Sequence, residues 1–283
     1  MPELPEVEVL ARHLRPRLRG RIIRGVTMRR IKVLRPTPPR KFRQILTGAK
    51  IINLSRRGKY LLFQLRLRPG NETVILLGHL GMTGRFFLAQ KKGCFPKHAA
   101  VVLDLGSENL VYEDTRYFGR LTLDTSAVHR LGPEPLDDGF DRTAFAQALK
   151  RSRQAIKIKL LDQSLVAGIG NIYASEALFR ARLSPRLAAR RLTIGQVARL
   201  RRAIRQVLRE AIAGGSTVPL NFGGNRSDGL FYFGRAPGAP DYYTERLRVY
   251  DRAGQPCPNC GSLIRRIRQG GRSTFYCPHC QAG

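Results

Sequence analysis

The pattern of apolar and polar positions changes period twice along the chain. Val7, Leu10, Ala11 and Leu14 share one face of a short helix, which Pro5 opens and Pro16 is expected to end. Short β-branched and aliphatic runs follow at 22–34, 50–54, 60–65, 73–77, 99–105 and 120–123, punctuated by Gly, Pro and Asn, as at 69–71. Many short strands at this spacing predict a sandwich or a barrel. Near Leu131-Gly132-Pro133-Glu134-Pro135 the period becomes helical. The clearest helix has Thr193 as N-cap with Gln196 in the capping-box position, and it ends at Gly214-Gly215. Ile194, Val197, Leu200, Ile204, Val207 and Ala211 form its expected buried stripe. Arg199, Arg201, Arg202, Arg205 and Arg209 load the remaining face, as a solvated surface or a border to a polyanion. From 221 to 243 the chain is rich in Gly and aromatics without a period, which predicts a loop. No internal repeat is evident.

Composition changes this picture through charge. A 283-residue chain that is 42% hydrophobic and 25% charged is an ordinary globular protein with room for two or three domains. Its 51 basic residues against 20 acidic ones give a net charge of +31, which points to a polyanionic partner. A membrane surface would attract such a chain too, but no apolar run approaches the roughly 20 residues that span a bilayer. Of the 51 basic residues, 41 are Arg, which suits bidentate contacts to phosphate and bases. A genome-wide compositional bias would give the same count. The opening MPELPEVE lacks the basic and apolar segments of a signal peptide, so an intracellular location is expected. In a reducing compartment the five cysteines are expected to bind metal rather than pair as disulfides.

Two C-x-x-C knuckles, Cys257 with Cys260 and Cys277 with Cys280, are separated by 16 residues. That spacing fits one zinc ion held by four thiolates, closing a hairpin too short to own a core. Two redox pairs would need a surrounding βαβ pattern, which is absent. Arg265, Arg266, Arg268 and Arg272 lie between the knuckles and present guanidinium groups to phosphate. Cys94 is unpaired and read as incidental; His279 is a spectator.

Eight blocks then occur in one order: MPELPEVE, RRGKYL, HLGMTG, DTRYFG, LGPEPL, GIGNIYASEALF, GGST and R-x-T-F-Y-C-P-x-C. Together they resemble the formamidopyrimidine-DNA glycosylases, bifunctional base-excision enzymes, over essentially the whole chain. The resemblance implies an α+β multidomain fold: a β-sandwich with a leading helix at 1–132, a helix–two-turn–helix domain at 133–222, and a lesion-capping loop region with a C-terminal zinc finger at 223–283, the finger proper at about 247–283. It implies one structural zinc, a monomer, no membrane, and double-stranded DNA with oxidised bases or abasic sites as partner, in the cytoplasm or on the nucleoid.

The resemblance also assigns roles. With Met1 removed, Pro2 offers a secondary amine as nucleophile; an α-amino group titrates near 7.7–8.0, against about 10.4 for Lys, so more of it is unprotonated at neutral pH. The resulting iminium is a permanent cation, an electron sink for the β- and δ-eliminations that cut the strand. Glu3 is the acid/base residue, and Glu6 lines the damaged-base pocket. Lys59 contacts phosphate near the lesion. Met82, Arg116 and Phe118 match the triad that fills the void left by the extruded nucleotide; by residue type alone Met82 and Phe118 would be core. Lys157 faces DNA between domains, and Arg272 holds a phosphate from the finger. The backbone amides and side chain around Asn171, with Tyr173 nearby, approach phosphate. Glu176 matches a family carboxylate, whose plain reading is a buttress for the turn.

Three features depart from the family. Tyr117 stands where many relatives have a second basic residue, Ile158 where they often have Pro, and the 221–243 segment is long. Lesion preference is the property these leave least fixed; the family implies 8-oxoguanine and formamidopyrimidines. Two other readings compete. An endonuclease VIII-like enzyme would prefer oxidised pyrimidines, but Leu4 and the Met/Arg/Phe triad argue against it. A non-catalytic zinc-finger module would tolerate replacement of Pro2 and Glu3.

Overall fold

The computed structural model describes residues 2–91, 95–215 and 247–282; Cys94 and the 221–243 loop lie outside them. Contacts divide the described chain into two compact units, Pro2 with Glu6–His129, and Glu3–Pro5 with Arg130–Gly215 and 247–282.

In the first unit, helix α1 (Leu4–Leu18) runs through Pro16 instead of ending there. A proline in the last turn forfeits a single backbone bond, so termination is not forced. Val7, Leu10, Ala11, Leu14 and Leu18 are all buried. Two four-stranded antiparallel sheets follow. One has the order β1 (Gly25–Met28), β6 (Ala99–Asp104), β7 (Glu108–Asp114), β5 (Gly84–Gln90); the other is β2 (Lys50–Arg57), β3 (Tyr60–Arg66), β4 (Thr73–His79), β8 (Arg120–Thr122). Phe86, Leu88, Leu103 and Tyr112 of the first sheet share a core with Leu61, Phe63, Leu65 and Leu76 of the second. The strands form a sandwich, since the sheets stay separate.

Three differences from the expected elements have physical causes. The 22–34 run gives β1 and then a 3-10 turn, Ile31–Leu34. Helix α2 (Pro39–Leu46) comes from a short segment whose two fully buried anchors, Phe42 and Leu46, are i,i+4 on one face behind an N-terminal proline, with Ile45 partly buried beside them. Strands β5 and β7 were not expected. The interior of β7 carries Asn109, Glu113 and Asp114 as buried residues, which hides it from a search for apolar runs.

The short helix α3 (Ser126–His129) closes the first unit. The second contains α4 (Arg142–Lys150), α5 (Ile156–Lys159), α6 (Asn171–Arg180), α7 (Ile194–Gly215) and the hairpin β9 (Arg265–Gln269) with β10 (Arg272–Tyr276). Helix α7 starts with the expected capping box: Thr193 N–H donates to Gln196 Oε1 at 2.9 Å, and Gln196 N–H donates to Thr193 Oγ1 at 3.2 Å. Its stripe is buried except for Ile194, which is 72% exposed. At about 100° per residue Ile194 lies roughly 100° from the centre of the stripe, off the packed face. No described helix is long and apolar enough to cross a membrane.

Candidate active site and DNA-facing residues

In the second unit, the carboxylate of Glu3 docks on the N-terminus of α6. Its Oε2 accepts from Gly170 N–H at 2.8 Å and Tyr173 N–H at 3.3 Å, and its Oε1 accepts from Ile172 N–H at 2.9 Å. Leu4 N–H donates to Gly168 O at 3.1 Å, fixing the chain just after it. The approach is so close that a Cβ at position 170 would lie 2.3 Å from Glu3 Cδ, so any side chain there would displace the carboxylate. Here the structure corrects the sequence reading. The amides of this glycine-rich turn, expected to meet phosphate, are given to the protein's own carboxylate. A helix N-terminus suits any anion, and Glu3 is the one that reaches it. Pro2 precedes Glu3 directly, and both are buried.

The side chain of Asn171 turns elsewhere. Its Oδ1 accepts from Lys157 Nζ at 2.5 Å, and its Nδ2 donates to the carbonyl of Ser273 in β10 at 2.8 Å. Lys157 has no exposed surface. Burial pulls its ammonium down to about 8, against the opposing charge of Glu3 and with the help of Arg272. Tyr250, which sequence reasoning missed, joins this group. Its ring packs edge-on against Phe275 with centroids 5.1 Å apart, and burial raises its phenol pKa although a hydrogen bond with Asn171 opposes the shift. Glu3 and Arg272 thus act electrostatically on both Lys157 and Tyr250, and Asn171 is bonded to both.

Glu176 explains how Tyr250 gets there. One turn into α6, its carboxylate accepts from the amides of Arg248, Val249 and Tyr250 at 2.9, 2.9 and 2.8 Å. It buttresses the segment that leads into the cysteine hairpin. Burial raises its pKa, and the three N–H donors oppose that rise.

The four Sγ atoms of Cys257, Cys260, Cys277 and Cys280 lie within 4.8 Å of one another, with Cys257–Cys280 at 3.9 Å and Cys260–Cys277 at 3.5 Å. A tetrahedral ion with Zn–S bonds of about 2.3 Å separates its sulfurs by about 3.8 Å, so the set fits zinc. Burial pushes the Cys280 thiol up to about 12, and the neighbouring sulfurs add to the shift. Four thiolates so close together need a cation between them. Because four thiolates close the coordination sphere, that ion is structural. On the hairpin, Arg265, Arg266, Arg268 and Arg272 are all exposed.

The first unit holds the other candidates. Lys59 is buried in the β2–β3 turn, and Glu6 is buried in the first turn of α1. Met82 and Phe118, which by type alone would be core residues, are 44% and 55% exposed. The Arg116 guanidinium lies over the Phe118 ring, 4.9 Å from its centroid. Between them Tyr117 adopts φ 53°, a left-handed conformation uncommon for a residue with a side chain. Its hydroxyl accepts from Arg30 Nε at 3.1 Å and lies 3.3 Å from His98 Nδ1. Tyr117 thus holds the guanidinium of Arg30, which also lies over its ring.

Sequence reasoning also passed over His79. Burial lowers its pKa to about 4, and the charges of Lys59 and Arg120 act in the same direction, against Asp114. The ring is therefore neutral at pH 7. Since Nδ1 lies 3.2 Å from Gly81 N–H, it is the acceptor, which leaves the proton on Nε2. Its place inside HLGMTG was the available signal.

Comparison with known proteins agrees with the order of these elements. Residues 1–121 match the formamidopyrimidine-DNA glycosylase N-terminal domain, 131–221 the H2TH domain of the same enzymes, and 254–283 the zinc finger found in FPG and IleRS. The formamidopyrimidine-DNA glycosylase of Phenylobacterium zucineum is 44% identical, over 99% of this chain and 100% of its own. The Lactococcus lactis enzyme is 32% identical and has been solved with DNA containing an abasic site, at a TM-score of 0.85 over 99% of this chain and 100% of that one. It has also been solved with Fapy-dG-containing DNA, at 0.84 over the same shares of both chains. A third complex, with DNA containing an oxidised pyrimidine, gives 0.85 over 100% of both chains. This chain belongs to the formamidopyrimidine-DNA glycosylase family.

Proposed function

We propose that the chain is a bifunctional DNA glycosylase and abasic-site lyase of base-excision repair that removes oxidised purines, 8-oxoguanine and formamidopyrimidines, from double-stranded DNA. The observation that carries this reading is the Glu3 carboxylate, adjacent to Pro2 and held by three amide donors at the start of α6. An acid/base group beside a nucleophile must be oriented to act, and an ordinary surface glutamate near a terminus would not be buried and triply bonded.

With Met1 removed, the Pro2 nitrogen attacks C1′ of the extruded nucleotide, and the C1′–N9 bond breaks as the base leaves. The nitrogen gives up its proton to the Glu3 carboxylate, and the departing base takes a proton from water. Glu3 then delivers a proton to O4′ as the C1′–O4′ bond opens, and the nitrogen lone pair forms the C1′=N⁺ iminium. Loss of a C2′ proton into that sink expels the 3′ phosphate. A second elimination expels the 5′ phosphate.

Lys59 near the lesion, with Lys157, Asn171 and Arg272 elsewhere, supplies phosphate contacts. Met82, Arg116 and Phe118 fill the vacated space, and Glu6 lines the pocket for the base. Zinc bound by the four cysteines would hold the finger hairpin in shape, without entering the chemistry. The protein acts as a monomer inside the cell, on the nucleoid and away from membranes. The domain limits that go with this reading are 1–132, 133–222 and 223–283.

Borohydride reduction on a duplex with 8-oxoguanine opposite cytosine tests the proposal. It should yield a protein–DNA adduct that maps to the Pro2 peptide. A variant retaining Met1, or carrying a tag before Pro2, should lose the adduct; undiminished trapping through another residue such as Lys59 would overturn the assignment. A second reading, activity on oxidised pyrimidines, is favoured by the Lactococcus lactis complex with such DNA. Excision rates across a panel of both lesion classes decide between the two.

A further inference from the structure

Two turns of the first unit carry the residues assigned to fill the void. Residues 80–84, from β4 into β5, hold Met82; residues 115–119, from β7 into β8, hold Arg116 and Phe118. Asp114, the last residue of β7, has no exposed surface and joins the two. Its Oδ1 accepts from the Thr83 hydroxyl at 2.6 Å and from Arg116 N–H at 3.2 Å. Its Oδ2 accepts from Gly119 N–H at 2.8 Å. Arg116 N–H also lies 3.1 Å from Thr83 Oγ1, which closes a small ring across the turns.

The far sides of the turns are pinned as well. Gly81 N–H donates to His79 Nδ1, and the Tyr112 hydroxyl donates to His79 O at 3.2 Å. The backbones touch: a Cβ at Gly81 would lie 2.6 Å from Gly119 N, and one at Gly119 would lie 1.8 Å from the Tyr112 hydroxyl. Both ends of the 114–119 turn are bonded to the same carboxylate. The exposed Arg116 and Phe118 therefore stand at a fixed distance from Met82, although none of the three is packed in the core.

We infer that Asp114 is a positioning residue for base extrusion, whose buried carboxylate assembles Met82, Arg116 and Phe118 into one preformed wedge before DNA arrives. This rests on the reading that those three side chains occupy the space left by the extruded nucleotide. Inserting flexible side chains one by one would add an ordering cost to the cost of unstacking, and preorganisation removes it. A carboxylate is required because all three partners are donors. The amide of asparagine has one acceptor oxygen, so in either orientation its NH2 faces a backbone N–H.

The test compares two single-turnover rates in the same duplex context: excision of 8-oxoguanine opposite cytosine, and cleavage at a preformed abasic site, which demands less unstacking. Asp114→Asn should slow base excision roughly tenfold or more, as losing a buried charge-assisted bond implies, and abasic-site cleavage less than threefold. Thr83→Val, which keeps shape without the hydroxyl, should shift the two rates in the same unequal way. Thr83→Ser should restore the wild-type ratio. If Asp114→Asn folds poorly, the Thr83 pair carries the test. Equal loss in both assays, or Thr83→Val identical to wild type, would overturn the inference. The combined Met82→Ala and Phe118→Ala variant separates the premise. If it impairs excision while Asp114→Asn and Thr83→Val do not, the inference fails and the premise stands; if it impairs nothing, the premise itself fails.

Discussion

Lys157 titrates close to working pH, and that has a measurable consequence. Its ammonium is buried against Asn171 and has its pKa lowered from 10.5 to about 8. If binding to phosphate requires the charged form, affinity falls as the free protein loses that proton. For a pKa of about 8 the factor 1 + 10^(pH − 8) grows from about 1.1 at pH 7 to about 11 at pH 9, so Kd should rise about tenfold. The neighbours do not mimic this. The Tyr250 phenol is raised away from that range. Lys157→Met, which keeps length and removes charge, should bind an abasic-site analogue duplex with a Kd that hardly changes between pH 7 and 9. Stability should move the other way. A base with a lowered folded pKa costs stability below that pKa, and the cost disappears as pH rises from about 8 towards 10.5. The Met variant should therefore melt higher than wild type at pH 7, with the advantage shrinking above pH 8, less about 1 kcal/mol for the Asn171 oxygen it leaves unpaired. Titration by fluorescence anisotropy and thermal melts at four pH values give both readouts. An unchanged tenfold pH dependence in the Met variant would show that Lys157 is not the titrating group.

Other expectations follow from single contacts. Chelating zinc should weaken DNA binding by at least tenfold while the β-sandwich keeps its melting transition; active, DNA-binding protein without zinc by metal analysis would refute the structural role. Gly170→Ala drives a Cβ into the Glu3 carboxylate, 2.3 Å from Cδ, so borohydride trapping should fall by more than tenfold with DNA affinity within about threefold; normal trapping would separate Glu3 docking from catalysis. Arg116→Ala should erode a preference for 8-oxoguanine opposite cytosine over adenine. Cytosine offers O2 and N3 to the guanidinium, a bidentate contact worth roughly 1–3 kcal/mol by analogy with groove readout; an unchanged ratio of single-turnover rates would exclude Arg116 as the reader.

What could be read in the sequence was what is encoded locally. The α7 capping box needs only Thr193 and Gln196, three residues apart, and the zinc set needs only two C-x-x-C pairs at a suitable separation. What escaped was set by partners far along the chain. Strand β7 is buried yet carries polar residues because Asp114 and Glu113 find partners in β5 and its neighbouring turns. Tyr250 has no local pattern at all; its place is fixed by Glu176, 74 positions away. His79 and Asp114 lie inside the same blocks as Met82, Arg116 and Phe118, but their roles show only in three-dimensional contacts, whereas the chemistry of those three is visible by residue type.

The misreading of the GIGN turn follows from the physics of anion binding. Amides at a helix N-terminus recognise negative charge and do not distinguish phosphate from carboxylate. From the sequence alone a glycine-rich helix start in a chain of charge +31 points outward, to an external polyanion. The competing ligand is Glu3, which lies more than 160 positions away along the chain. A covalently supplied carboxylate has the advantage over a diffusing phosphate because its concentration at the site is set by the chain itself. The same helix then takes a second long-range partner, offering the Glu176 carboxylate to the amides of 248–250. Donor and acceptor are exchanged between the two contacts. At its start α6 supplies amides to a carboxylate, and one turn later it supplies a carboxylate to amides. With Asn171 bonded to both Lys157 and β10, ten residues of helix hold the Glu3 carboxylate, the Lys157 ammonium and the entry to the cysteine hairpin in one frame. The Glu3, Asn171 and Glu176 contacts thus give the GIGNIYASEALF block an intramolecular role in this unit.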